Sequence, residues 1–130
     1  MTSFLVISLG AIAGANLRYW LGEWAAVWGL DRFGVALPYG TFLVNVLGSL
    51  LLGVLVALLA GRAELSPYPR LLLGVGFLGS FTTFSSFSAD TLLLLAGGRT
   101  WSALGNVAAN NILGILFAFL GFRLGVNLSG

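Results

Sequence analysis

Apolar residues run along this chain in four long blocks, separated by short stretches rich in Gly, Pro and Arg. A helix that crosses a bilayer needs about 20 mostly apolar residues, at roughly 1.5 Å each. Four stretches meet that length, at about 4–28, 39–60, 71–95 and 101–122. Arg18 and Glu23 fall in the later half of the first, Asp90 interrupts the third, and the fourth carries no charge. Gly29 to Gly34 with Pro38 reads as the first loop, Gly61 to Arg70 as the second, and Gly97-Gly98-Arg99 as the third. Trp24, Trp28, Tyr39, Tyr68 and Trp101 fall near span ends, where amphipathic rings prefer to sit. The apolar runs are too long for barrel strands and show no two-residue alternation. The pattern predicts a single all-α transmembrane domain over residues 1–130, built of four helices joined by hairpin loops.

Composition sharpens this reading. Of 130 residues, 58% are hydrophobic and only 8% charged, against roughly 25% charged in soluble domains. Such a chain cannot cover its own surface in water, so it is read as an integral membrane protein. The charges are six Arg, four carboxylates and no Lys, for a net +2. This is a scarcity of charge rather than a basic patch, which argues against a nucleic-acid partner. There is no Cys, hence no disulfide and no thiol nucleophile, and no His, the commonest general base. An enzyme is therefore not expected, because no nucleophile–base pair can be assembled from those residues. Met1-Thr2-Ser3 lacks the positive start of a cleaved signal peptide, so the first apolar stretch is read as retained.

Orientation in a membrane is normally set by an excess of Arg and Lys on one side. With the N-terminus on side one, that side holds Arg62, Arg70 and Arg123. Side two holds Arg32 and Arg99, joined by Arg18 if its side chain extends that way. The balance predicts dual topology, with copies inserted both ways up; the alternative is that a single Arg decides.

Polar groups at membrane depth are functional candidates. Thr41, Asn45 and Ser49 share one face of the second helix, and Ser102, Asn106, Asn110 and Gly114 one face of the fourth, with Asn111 beside it. Such residues either join helices together or line a wet path. Their N–H and O–H donors suit a small anion or water, whereas a cation path calls for acidic rings. In the third span, Gly79 with the Ser and Thr residues of 80–88 argues for a local break. Carbonyls freed there could hold a small cation such as Na⁺; the alternative is a kink closed by the hydroxyls. Phe84 and Phe87, spaced i, i+3, share a face with Ser80 and Thr91. Their electropositive ring edges either meet a small anion or simply pack in lipid or core.

Three segments carry a family resemblance. Gly10-Ala11-Ile12-Ala13-Gly14-Ala15-Asn16-Leu17-Arg18-Tyr19 resembles the GxxxGAxxRY opening of the Fluc/CrcB fluoride-channel family. Gly40-Thr41-Phe42-Leu43-Val44-Asn45-Val46-Leu47-Gly48 is similar to its GTFxVNxxG segment, and Gly76 to Phe87 to its GFxGxxTTFSTF signature. The motifs occur in family order and spacing and cover the first 90 residues. The resemblance implies an antiparallel dual-topology homodimer in the bacterial inner (plasma) membrane, with two fluoride pores. It also implies a structural Na⁺ at the dimer centre, held by the carbonyls of Gly79 and Thr82 from both subunits. Asn45, Phe84 and Phe87 would line the pore, with the hydroxyls of Thr83 and Ser88 and a fourth-helix amide, Asn110 or Asn111. Arg18 would sit in a vestibule or anchor its helix, and Asp90, in place of a usual Glu, would be a vestibule or structural group. Ser86 stands where Thr is usual, Leu50 where Phe is common, and Asn in the fourth helix where a hydroxyl residue is usual. The function expected is passive, fluoride-specific export that relieves fluoride toxicity. The rival readings are a small multidrug-type proton-coupled transporter, with Glu23 as its carboxylate, and a membrane scaffold that moves no ions.

Overall fold

The computed structural model describes residues 1–60 and 66–129. Helix α1 covers Thr2–Phe33 and α2 covers Tyr39–Leu59. The third span begins with the wide turns of a π-helix, Arg70–Leu78, and continues as one α turn, Gly79–Phe81; together these are α3. Helix α4 covers Phe84–Ala96 and α5 covers Thr100–Ser129. Taking α3 with α4, four helical segments are long and apolar enough to span a membrane. At about 1.5 Å per residue, the 21 residues of α2 match the roughly 30 Å hydrocarbon core.

The spans differ from the expected boundaries in ways that packing explains. Helix α1 does not stop at Trp28 but runs through the residues read as loop, to Phe33. Gly29 does not break it, because that position lies against the Tyr39 ring, where a side chain would collide. The stop comes at Gly34, whose φ of 66° is the left-handed cap conformation and whose N–H bonds the Leu30 carbonyl. A stack of rings then carries the chain into α2: Trp24 on Trp28 at 6.2 Å, Trp28 edge-on to Phe33, and Phe33 on Tyr39 at 5.6 Å. Helix α5 likewise continues past Phe122, because Gly121 and Gly125 let it lie against the backbone of Leu50 and Val54 in α2. Arg70 belongs to α3, and the Arg62 position of the second loop lies outside the described residues.

Helix α2 is central. It packs along α5 on one side and against α1 on the other, while α3 lies on α1. The α1–α3 crossing is close enough that Gly10 and Gly14 meet backbone atoms of Leu72 and Phe77. Small residues that bring backbones together are the usual means of helix association in lipid, where apolar contact alone gives no preference. Large apolar side chains cover the outside, among them Phe4, Trp20, Ile112 and Ile115. Helix α4 leaves this side of the bundle and packs on α5 and, narrowly, on α2. The third span thus changes neighbours midway, from α1 to α5, and the change occurs at Thr82 and Thr83.

Candidate functional site

Thr82 and Thr83 leave helical geometry: Thr82 has ψ 157°, and Thr83 has φ −151° and ψ 113°. The departure falls within the 79–88 stretch whose residue types argued for an interruption, although Gly79 itself is helical, with φ −62° and ψ −29°. The departure lies three residues later because partners for the extended peptide come from another helix. The Asn45 Oδ1 accepts the Thr83 N–H at 2.8 Å, and its Nδ2 donates to the Thr83 carbonyl at 3.2 Å. One carboxamide thereby satisfies both polar groups of one extended residue, as a neighbouring strand would. Below the interruption, the Thr82 N–H and hydroxyl both donate to the Leu78 carbonyl. Above it, the Thr83 Oγ1 accepts the Ser86 N–H at 3.1 Å, a side-chain N-cap that starts α4.

These substitutions have a consequence for two carbonyls. In a continuous helix the Gly79 oxygen pairs with the N–H of Thr83, and the Thr82 oxygen with the N–H of Ser86. Both donors are engaged by side chains instead. The two carbonyls named for Na⁺ therefore lose their helical partners, and hard, neutral oxygens are the ligands a small cation takes. The donor set fits the ion.

Beside the interruption lies a cavity of about 330 Å³. Asn45, Ser49, Thr82, Thr83, Asn110 and Asn111 give it polar groups, Gly79, Phe84 and Phe87 also line it, and among the described residues none that lines it is charged. The Phe84 and Phe87 rings are 5.5 Å apart and tilted by 49°. They are not equivalent: Phe84 is 78% exposed on the single chain and Phe87 only 8%. Ser80 precedes the interruption, on α3, so it does not continue the α4 face that carries these rings.

A second cavity, of about 310 Å³, lies on the other side of Thr83, which lines both. Here Arg18, Glu23, Thr41, Ser86 and Asp90 come together. The Asp90 Oδ2 is buried with no hydrogen-bond partner among the described residues. Glu23 is exposed on the surface of α1, at the rim rather than deep in the bundle. Thr41, Asn45 and Ser49 of α2 divide between the cavities, the first facing the charged one and the others the neutral one.

The fourth-helix amides separate clearly. Asn110 is partly buried and accepts from the Asn45 Nδ2 at 3.2 Å. Asn111 is exposed, and its Nδ2 turns back to the Val107 carbonyl. Both reach the neutral cavity. Ser88 does not line either cavity; its hydroxyl bonds the Phe84 carbonyl at 2.9 Å. Two further residues belong to the site's hydrogen bonding, Asn106 and Thr91, joined at 2.9 Å. The four-residue spacing of the α5 amides placed Asn106 on the right face, but no local pattern pairs it with Thr91.

Membrane-length helices around an uncharged, amide-lined cavity define a multi-pass membrane protein with a polar interior. Residues 5–122 match the family model described as CrcB-like protein, Camphor Resistance (CrcB). The chain belongs to the CrcB family. It is 45% identical over 125 residues to a protein of Chloroflexus aurantiacus named as a fluoride-specific ion channel, with 96% of each chain covered. It is 46% identical over 127 residues to one of the same name from Thermus thermophilus, covering 98% of this chain and 96% of that one. A third, from Oceanobacillus iheyensis, is 44% identical over 124 residues, covering 95% and 92%. With such bacterial relatives and four spans, the protein resides in the inner membrane.

Proposed function

We propose that this chain is a fluoride channel, not an enzyme, which lets F⁻ leave the cell passively as an antiparallel, dual-topology homodimer. The observation that carries the reading is the neutral cavity beside Thr83, where amide and hydroxyl donors meet two phenylalanine rings and, among the described residues, no carboxylate. Relatives named as fluoride channels, similar over nearly the whole chain, support it.

F⁻ is small and tightly hydrated, so a path must replace its water with donors that bind well enough to admit the ion and weakly enough to release it. Asn45, Thr83, Asn110 and Asn111 are the candidates, with Phe84 and Phe87 offering ring edges. Asn45 already spends its amide hydrogens on the Thr83 carbonyl and on Asn110, so it would meet the ion by giving up one of those bonds. Arg18 would either draw anions toward the mouth of the charged cavity, against the Glu23 and Asp90 carboxyls that also line it, or anchor its helix. The interrupted third span would hold a structural Na⁺ through the Gly79 and Thr82 carbonyls of two subunits. Bound there, the ion supplies a fixed positive charge at the dimer centre. The Arg positions suit dual insertion: among the described residues, Arg70 and Arg123 lie at one end of the bundle and Arg32 and Arg99 at the other. Export needs no fuel, since moving one charge down the membrane potential yields about 2.3 kcal/mol per 100 mV. Fluoride trapped as the anion after entering as HF would leave by this route, relieving its toxicity.

The test is fluoride efflux from liposomes loaded with KF and holding the purified protein, read with a fluoride electrode after valinomycin is added. Rapid efflux is expected. Efflux no faster than from protein-free liposomes would overturn the proposal.

A further inference from the structure

Helix α4 carries both rings of the neutral cavity, yet among the described residues its backbone packs only on α5 and, narrowly, on α2. Its position must rest on few contacts, and the hydrogen bonds show which. The Asn45 Nδ2 donates to the Asn110 Oδ1 at 3.2 Å. The Asn110 Nδ2 donates to the Asn106 Oδ1 at 2.9 Å. The Asn106 Nδ2 donates to the Thr91 Oγ1 at 2.9 Å, and that hydroxyl donates to the Phe87 carbonyl at 2.8 Å.

Every bond in this series points the same way, and one backbone group sets the direction. The Thr83 N–H can only donate, so Asn45 must present its oxygen there and its amide hydrogens onward. Asn110 must then offer oxygen to Asn45 and hydrogens to Asn106, and Asn106 oxygen to Asn110 and hydrogens to Thr91. The Thr91 hydroxyl, accepting from Asn106, has its own proton free for Phe87. The series starts at the backbone N–H of the α4 cap residue and ends at a backbone carbonyl one turn inside α4. Phe84 and Phe87 sit between those two ends. Asn106 is 8% exposed, so a lost partner would leave a polar group without water to replace it. Among the described residues, the Asn106–Thr91 bond is the only side-chain hydrogen bond between α4 and α5.

We propose that Asn106 and Thr91 are positioning residues for conduction: with Asn110 and Asn45 they form an amide relay that clamps the first turn of α4 and so fixes the two phenylalanine rings. The inference rests on the channel reading for its consequence, but not for the clamp itself. Neither residue touches the ion; both act through the backbone they hold.

The experiment compares Thr91→Val, which keeps the shape and removes the hydroxyl, with Thr91→Ser, which keeps the hydroxyl. Asn106→Leu and the Asn106→Leu/Thr91→Val double variant complete the set. Two readouts are taken in lipid: fluoride efflux, and hydrogen exchange of the backbone amides of 83–91. Thr91→Val is expected to slow efflux about tenfold, the change that about 1.4 kcal/mol produces, and to speed exchange by a similar factor. Thr91→Ser is expected to restore both. The double variant should be little slower than Asn106→Leu alone, since both changes cut the same α4–α5 bond and Thr91→Val adds only the loss of the Thr91–Phe87 bond within α4. Wild-type exchange in Thr91→Val would overturn the clamp. Faster exchange with wild-type efflux would overturn the positioning role. If the unmodified protein releases no fluoride, the channel reading fails while exchange still decides the clamp.

Discussion

The carboxamide of Asn45 pairs with the peptide of Thr83 through two hydrogen bonds, 2.8 and 3.2 Å long, across 38 residues of sequence. A side chain of α2 thus takes the place of the helical partners that the third span gives up. The third Asn45 contact, to Asn110, ties the same point to α5. Three helices meet at one amide.

Asn45→Asp keeps the oxygen that accepts from Thr83 but loses both donors. The Thr83 carbonyl and the Asn110 Oδ1 would then face a carboxylate instead of N–H groups. Fluoride efflux is expected to fall by roughly 5- to 150-fold, since an unpaired buried polar group costs roughly 1–3 kcal/mol. Phe84→Ile, which removes a ring edge but no hydrogen bond, should reduce efflux while leaving the proposed dimer intact on size exclusion. Unchanged efflux in both variants would remove this pore assignment.

Because the chain has no Cys, one introduced thiol reports orientation without background. Ser3→Cys, labelled in cells with a membrane-impermeant maleimide, should react to about half, with the remainder reacting only after the membrane is opened. Complete labelling from one side, or none, would refute dual insertion.

The free Gly79 and Thr82 carbonyls predict a specific cation effect. Purified protein in Na⁺ should have a higher melting temperature than the same protein in choline, and K⁺, being larger, should replace Na⁺ poorly. Equal melting temperatures in all three salts would remove the proposed ion site.

Two glycines of α5 make a paired test of helix packing. A Cβ at Gly121 would overlap the backbone carbonyl of Leu50, which cannot step aside, whereas nothing lies within 4 Å of one at Gly105. Gly121→Ala should lower the thermal midpoint, by an amount matching the roughly 1–3 kcal/mol cost of overpacking. Gly105→Ala should hold or raise it, because Ala is favoured over Gly in a helix by about 1 kcal/mol. No loss of stability in Gly121→Ala would show that the α2–α5 crossing is not as close as described, and a loss in Gly105→Ala would show that the Gly105 face is more crowded than described.

Much of the protein follows from composition and order alone. Four apolar blocks of membrane length, with almost no charge to hold them in water, leave helices in lipid as the outcome, because unpaired backbone groups cannot exist there. The four-residue spacing of Asn106 and Asn110 likewise put both amides on one face, since helix geometry is local. The tertiary structure decided what depends on partners distant in the chain. Gly79 carries the weaker local helix preference, yet the chain leaves the helix at Thr82 and Thr83, where Asn45 waits to receive the exposed peptide. Helix α1 passes Gly29 because the Tyr39 ring covers it, and ends at Gly34. The pairing of Asn106 with Thr91 arises only when α4 crosses to α5, and the choice of Asn110 over Asn111 as the more buried amide only when α5 lies against Asn45 of α2. Local sequence sets which conformations are cheap; a hydrogen bond from another helix selects among them.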